Sequence, residues 1–328
     1  MTKVGVLNDY QGVASSMADW SEAAALAQVD FLDEVYRDED HAAEALADYD
    51  VLCLMRERLP FPASQFEKLP NLRCLVTAGE FNRAVDLEAA SRHGVLVSGT
   101  SNGIGRLVTA ELTWGLIIAA ARNIIVEDRA VQAGRWQTKV GFALFGKTLG
   151  IVGLGGVGRY LARYGHAFDM EVIAWSRNLT EEKALEDQAR RVDKEELLRR
   201  SDIVSVNMVL SAETEGLIDA EALALMKPTA ILVNTSRGPL VDEGALVEAL
   251  RTEQIGGAVL DVYDKEPLAA DHPLRAFPDR VIISPHMGYV TREVYEEFYG
   301  ETARSLAAYL AGEPIRVLNP DATAAGSR

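Results

Sequence analysis

Short apolar runs alternate with longer segments of helical period along most of the chain, the signature of βαβ units feeding a parallel sheet. In the first hundred residues the runs predict strands at Lys3–Asn8, Val29–Leu32, Asp50–Met55, Leu72–Gly79 and Gly94–Gly99. Helical stretches lie between them at Trp20–Gln28 and Asp38–Ala47, the latter opening on an acidic first turn that suits the positive end of a helix dipole. A long apolar-faced helix, Val108–Ala121, leads into a second series of strands at Thr148–Gly155, Glu171–Trp175, Asp202–Asn207, Ala230–Ser236, Gly256–Val262 and Val281–Pro285. Six short runs of this kind are what a doubly wound dinucleotide-binding sheet requires. An amphipathic helix over Arg292–Ala311 ends at Gly312 ahead of Pro314 and is expected to pack back onto the first series. The tail Asp321–Arg328 is small and polar, and is expected to fray.

The fold class expected is therefore α/β, with two Rossmann-like domains built on doubly wound parallel sheets. Residues 1–100 and 288–328 form a discontinuous substrate-binding domain, and residues 101–287 form the dinucleotide-binding domain. The two crossings act as hinges of a cleft whose closure would exclude water. A length of 328 residues accommodates two such domains.

Charge narrows the function. A formal net charge of −16 argues against a nucleic-acid partner and against docking on an anionic membrane, since both need a basic face. It leaves room for a small anionic ligand, because a local arginine cluster can reverse the field inside a cleft. Cys53 and Cys74 sit in apolar runs and read as reduced core thiols. The opening MTKVGVLNDY lacks the long apolar stretch of a signal peptide, and no run reaches the roughly 18 apolar residues that span a bilayer. The expectation is a cytoplasmic enzyme.

The run Gly153-Leu154-Gly155-Gly156-Val157-Gly158 follows a predicted strand and opens a helix, with another strand close behind. In that context it reads as a dinucleotide fingerprint rather than an ordinary glycine turn. Gly153 allows the tight turn, Gly155 lets the backbone approach a pyrophosphate, and Gly158 permits close helix–strand packing. Gly156 and Val157 complete the turn. Where the second strand ends, an NAD site usually carries Asp or Glu for the ribose 2′-hydroxyl. Ser176 and Arg177 stand there instead. With no acid to repel a 2′-phosphate and a cation to pair with it, NADP(H) is favoured over NAD(H). The other reading is that Arg177 is a solvated loop residue and NADH is used.

Three further segments place polar residues beyond the carboxyl ends of predicted strands, where ligands bind in such sheets: Asn234–Leu246, Asp261–Pro267 and Pro285–Thr291. With the glycine fingerprint they give the chain its resemblance to the D-isomer-specific 2-hydroxyacid dehydrogenase family, from the first strand as far as Leu318. Phosphoglycerate dehydrogenases and glyoxylate or hydroxypyruvate reductases are its members of similar pattern. The resemblance implies Arg237, Glu266 and His286 as the catalytic set, Asp261 against the nicotinamide carboxamide, and the backbone of Thr235, Ser236 and Gly288 bordering the cofactor. The substrate implied is a small 2-keto acid or 2-hydroxy acid, and no metal is called for. These residue types suit the chemistry. Hydride arriving at a ketone carbon builds negative charge on oxygen, which an imidazolium at His286 quenches by donating a proton. A carboxylate at Glu266 favours that charged ring. Arg237 can hold the substrate carboxylate while polarising the carbonyl.

On the substrate side, the family's glycine-rich carboxylate loop corresponds to Gly79-Glu80-Phe81. Gly79 is kept, but Phe81 replaces the usual second glycine and is expected to add an apolar wall. Glu80 is awkward beside a carboxylate unless its side chain points to solvent, although its backbone N–H could still serve. Arg56 lies where phosphoglycerate-type relatives have a substrate arginine, and Arg58 alternates with it, so both are expected on one side; the other reading is a solvated charged loop. The segment Glu127–Phe145, with exposed-looking Trp136 and Phe142, belongs to neither sheet. In the family this region builds a two-fold contact, so a homodimer is expected. At this length, the family's added regulatory domain is not expected. Two other functions share the fold. One is a dinucleotide-sensing corepressor. The other is formate oxidation, although that subgroup typically has Gln where this chain has Glu266.

Overall fold

A computed structural model of the chain describes residues 1–101 and 103–322. Its residues cluster into two units, Met1–Ile104 with Val290–Arg328, and Gly105–Tyr289.

The first unit carries a five-stranded parallel sheet of β1 (Lys3–Val6), β2 (Gln28–Phe31), β3 (Val51–Leu54), β4 (Cys74–Thr77) and β5 (Leu96–Ser98), in the order β2-β1-β3-β4-β5. This is the flavodoxin-like arrangement. β3 and β4 read VLCL and CLVT and are buried at every position, as expected of central strands covered by helices on both faces. The core on these strands includes Leu52, Leu54, Leu75, Phe61 and Phe66. The helix Arg292–Leu310 returns to this unit and packs on β4 and on the helices Ala14–Met17 and Ser21–Leu26. Cys53 and Cys74 are buried and free.

The second unit holds seven parallel strands: β6 (Thr148–Val152), β7 (Glu171–Trp175), β8 (Arg190–Arg191), β9 (Ile203–Val206), β10 (Ile231–Asn234), β11 (Gly257–Leu260) and β12 (Val281–Ile283). They run in the order β12-β11-β10-β9-β6-β7-β8. The direction of winding reverses between β6 and β9, which creates the crevice at which such sheets bind nucleotides. Alternate residues feed two cores. Val204, Leu232 and Leu260 point to one face, and Ile203, Val233 and Val259 to the other. Helix starts are set by side-chain caps such as Asp193, Asp219 and Asp242, each accepting an N–H three residues on at 2.6 to 2.9 Å. Such a cap is typically worth about 1 kcal/mol.

Every predicted strand is present, trimmed by a residue or more at one or both ends except at Glu171–Trp175. The edge strand β8 was not expected. It is two exposed arginines, and carries no apolar alternation to betray it. Part of the segment assigned to neither sheet forms the helix Ile124–Gln132. Phe142 is half-buried against the second core rather than exposed; the exposed aromatics are Trp136 and Phe145. The expected fraying falls mainly on residues 323–328, outside the described residues. Ala322, just before them, is buried and its N–H bonds to the Asn319 carbonyl at 3.0 Å. No single helix among the described residues is long and apolar enough to cross a membrane.

Candidate active site

The glycine turn leaves β6 at Val152. Gly153 has φ +100°, and a Cβ there would press on the Asn207 carbonyl at 2.8 Å. Gly158 opens the helix Gly158–Ala167, and any side chain on it would run into the Gly153 carbonyl and Ile151. Gly155 differs: no atom of the described residues lies within 4 Å of a Cβ built on it. An open cradle of backbone in front of a ten-residue helix start fits a dinucleotide pyrophosphate. Val157 precedes the helix with helical dihedrals. Gly156 is crossed by the side chain of Arg106, whose Nε would lie 3.0 Å from an added Cβ. Arg106 was not singled out in the sequence, because it lies far ahead of the turn along the chain and belongs to no motif.

At the end of β7, Ser176 is half-buried and Arg177 exposed. The guanidinium of Arg177 pairs with the carboxylate of Glu213, from the loop after β9.

Because β10, β11 and β12 are adjacent and parallel, the three polar segments that follow them emerge side by side on one sheet edge. Beyond β10, Asn234 organises the turn, its Nδ2 donating to the Arg237 carbonyl at 2.8 Å and its Oδ1 accepting from Ser236 N–H at 3.1 Å. Ser236 Oγ donates to the Met208 carbonyl at 2.8 Å, and Thr235 shares a 2.8 Å hydroxyl bond with Thr113. Arg237 is half-buried, with Nη1 donating to the Ser236 carbonyl at 2.7 Å. Gly238 must be glycine, since a Cβ would overlap the Tyr263 backbone.

Beyond β11, Glu266 accepts from Tyr263 N–H at 3.0 Å through one oxygen and meets His286 Nδ1 at 2.6 Å through the other. Tyr263 is buried, and its hydroxyl ties the Leu260 and Ser284 carbonyls at 3.1 and 2.8 Å. Burial, with Asp261 nearby, pushes its phenol well above the usual range, so it stays protonated.

His286 adopts φ +50° on the β12 loop. The next two N–H groups, of Met287 and Gly288, both point at Asp261, at 3.0 and 2.9 Å, and Ser284 Oγ reaches the same carboxylate at 2.5 Å. Successive N–H groups converging on an anion make a small nest, and here the anion is internal. Burial pushes the Asp261 carboxyl up from its ordinary value, against the pull of Ser284, the loop N–H groups and His286. Asp261 thus fixes the backbone that carries His286.

In the first unit, Gly79 has φ +107° and lies under the Arg56 guanidinium, which a Cβ at Gly79 would overlap. The Gly79 N–H is bonded to Thr100 Oγ1 at 2.7 Å and is thus engaged within the unit. Glu80 is exposed, and so is Phe81, with the Arg83 guanidinium 5.6 Å from its ring. Arg56–Arg58 is a short turn, with φ +55° at Arg56 and non-helical dihedrals at Glu57, rather than extended chain. The Arg56 guanidinium lies 5.8 Å from the Phe298 ring, one turn along the helix Arg292–Leu310 from Tyr295. Arg58 donates to the Asn8 carbonyl at 2.7 Å and to Tyr295 Oη at 3.0 Å.

Comparison with known proteins agrees with this architecture. Residues 114–288 match the model of the D-isomer specific 2-hydroxyacid dehydrogenase NAD binding domain. A glyoxylate reductase of Aeropyrum pernix is 42% identical over 260 residues, covering 76% of this chain and 77% of that protein. A D-3-phosphoglycerate dehydrogenase of Bacillus subtilis is 34% identical over 296 residues, covering 88% of this chain and 55% of that one. Among solved structures, a phosphoglycerate oxidoreductase from Vibrio cholerae superposes with a TM-score of 0.89 at 32% identity, over 95% of this chain and all (100%) of the other. A matched cofactor domain, the strand order that carries it and relatives across most of the chain lead to one conclusion: this protein belongs to the D-isomer specific 2-hydroxyacid dehydrogenase family.

Proposed function

We propose that the chain interconverts a small 2-keto acid and its D-2-hydroxy acid, with NADP(H) favoured over NAD(H). The reading is carried by the 2.6 Å bond between His286 Nδ1 and Glu266, on the sheet edge that also presents Arg237. With Nδ1 engaged by a carboxylate, Nε2 is the ring atom left to serve the substrate oxygen. A bound nicotinamide supplies hydride to the ketone carbon. His286 donates the proton that this oxygen needs and, in the reverse direction, takes it back. Arg237 holds the carboxylate and stabilises charge growing on the carbonyl oxygen. Within the first unit, Arg56 and the N–H groups of Glu80 and Phe81 are the candidates for carboxylate contact, with Phe81 as an apolar neighbour. The names of the relatives favour a short keto acid, and Arg177 favours the 2′-phosphorylated cofactor.

The test is consumption of NADPH and, separately, NADH with glyoxylate, hydroxypyruvate, pyruvate and phenylpyruvate. Turnover of glyoxylate or hydroxypyruvate is expected, with the lower KM for NADPH. Dinucleotide binding without turnover of any of the four would overturn the reading in favour of a sensor.

A homodimer belongs to the same proposal. A groove of about 460 Å³ in the second unit is lined by Phe142, Arg129, Ile282 and exposed Val140 among others, and Trp136 and Phe145 are exposed in the same stretch of chain. Exposed apolar side chains in one stretch support a protein contact there. Light scattering should give twice the 35.7 kDa chain mass, and Val140→Glu should shift it towards one chain. A wild-type mass of one chain at micromolar concentration would remove the dimer.

A further inference from the structure

We propose that Glu213 tunes cofactor choice by competing with the cofactor's 2′-phosphate for Arg177. The inference rests on the dinucleotide reading above. Arg177 stands two residues beyond β7, the strand next to β6, where the adenine-side ribose is held in sheets of this order. Among the described residues its guanidinium is directed at Glu213: Nη1 meets the carboxylate, and Nη2 approaches the Glu213 carbonyl at 3.4 Å.

Glu213 is delivered there by a braced turn. Its neighbour Thr214 is buried, with Oγ1 donating to the Val209 carbonyl at 2.7 Å and accepting from Ser211 N–H at 2.8 Å. The Thr214 N–H adds a 2.9 Å bond to the Ser211 carbonyl. These bonds fix the backbone on either side of Glu213, so its side chain sets out towards Arg177 from a defined position.

The two cofactors meet this pair differently. A 2′-phosphate needs the forked donors of Arg177 and is repelled by a carboxylate beside it, so it must displace Glu213. A 2′-hydroxyl needs no cation, leaves the pair intact and can donate to Glu213. The carboxylate that NAD-preferring members carry at the strand end is here supplied from the loop after β9. Arg177 alone would make the site strongly NADP-selective; Glu213 moderates it.

The experiment is calorimetric titration of wild type, Glu213→Gln and Arg177→Gln with adenosine 2′,5′-bisphosphate and with ADP, alongside KM for NADPH and NADH. The pair is solvent-exposed, so its removal should change affinity by about fivefold rather than by orders of magnitude. Glu213→Gln should bind the bisphosphate about fivefold tighter, lower KM for NADPH in proportion, and gain nothing for ADP or NADH. Arg177→Gln should weaken the bisphosphate selectively. If Arg177→Gln weakens it but Glu213→Gln does not tighten it, competition by Glu213 is wrong and the NADP(H) reading stands. If Arg177→Gln leaves bisphosphate affinity unchanged, the NADP(H) reading fails and the inference with it. ADP binding in each variant reports that the site remains folded.

Discussion

His286→Ala is expected to lower kcat by about two to four orders of magnitude, the usual contribution of a positioned acid–base group. Dinucleotide affinity should stay nearly intact, because the glycine turn after β6 is built without this side chain. Glu266 cannot substitute for the missing ring. Its carboxylate is tethered by Tyr263 N–H at 3.0 Å and stands one imidazole away from the position Nε2 serves. The defect should therefore appear in single-turnover hydride transfer as well as in steady state, with little change in KM for the cofactor. A variant that turns over at close to the wild-type rate would remove His286 from the mechanism, and with it the role given to Glu266.

Arg237→Lys is expected to lower kcat/KM for the keto acid by roughly 100- to 1,000-fold, the effect of losing one donor aimed at a developing oxyanion. Charge is conserved in this change and geometry is not. A guanidinium offers parallel donors to two oxygens at once, whereas an ammonium offers a single point of attachment. The turn itself should survive, since Asn234 grips the residue 237 carbonyl and the Ser236 N–H through backbone groups that the substitution leaves in place. Denaturation midpoints close to wild type would confirm that the loss is chemical. If kcat/KM fell by less than about threefold, Arg237 would be a distant charge and not a substrate ligand.

Much of this was legible along the chain, for identifiable reasons. Buried parallel strands write continuous apolar runs, so β3, β4, β9 and β10 announced themselves, and the polar segments behind β10, β11 and β12 stood out as breaks in that pattern. A two-residue arginine edge strand writes nothing. Tertiary partners were equally silent. Asp261 drew attention as a polar residue ending an apolar strand, but its bonds to the loop behind His286 join elements 23 to 27 residues apart. Tyr263 supports Glu266, and Asn234 supports Arg237, through a backbone atom, and backbone atoms have no sequence signature; Ser284 holds Asp261 side chain to side chain, but from the end of the next strand. At Arg56–Arg58 the alternation of a strand does not apply, because the chain has left β3 and turns there.

The two thiols have a use apart from catalysis. Cys53 and Cys74 lie on neighbouring strands of the five-stranded sheet, both sealed from solvent. Burial pushes the Cys53 thiol up to about 12 and the Cys74 thiol well above its ordinary value. Neither can become a thiolate within reach of a reagent while the sheet is closed. Because the chain has no other cysteine, the speed of alkylation becomes a clock for openings of that sheet alone. The dinucleotide-binding sheet is invisible to it. Alkylation timed with and without substrate would therefore tell whether occupancy stiffens the half of the molecule that carries Arg56 and Gly79.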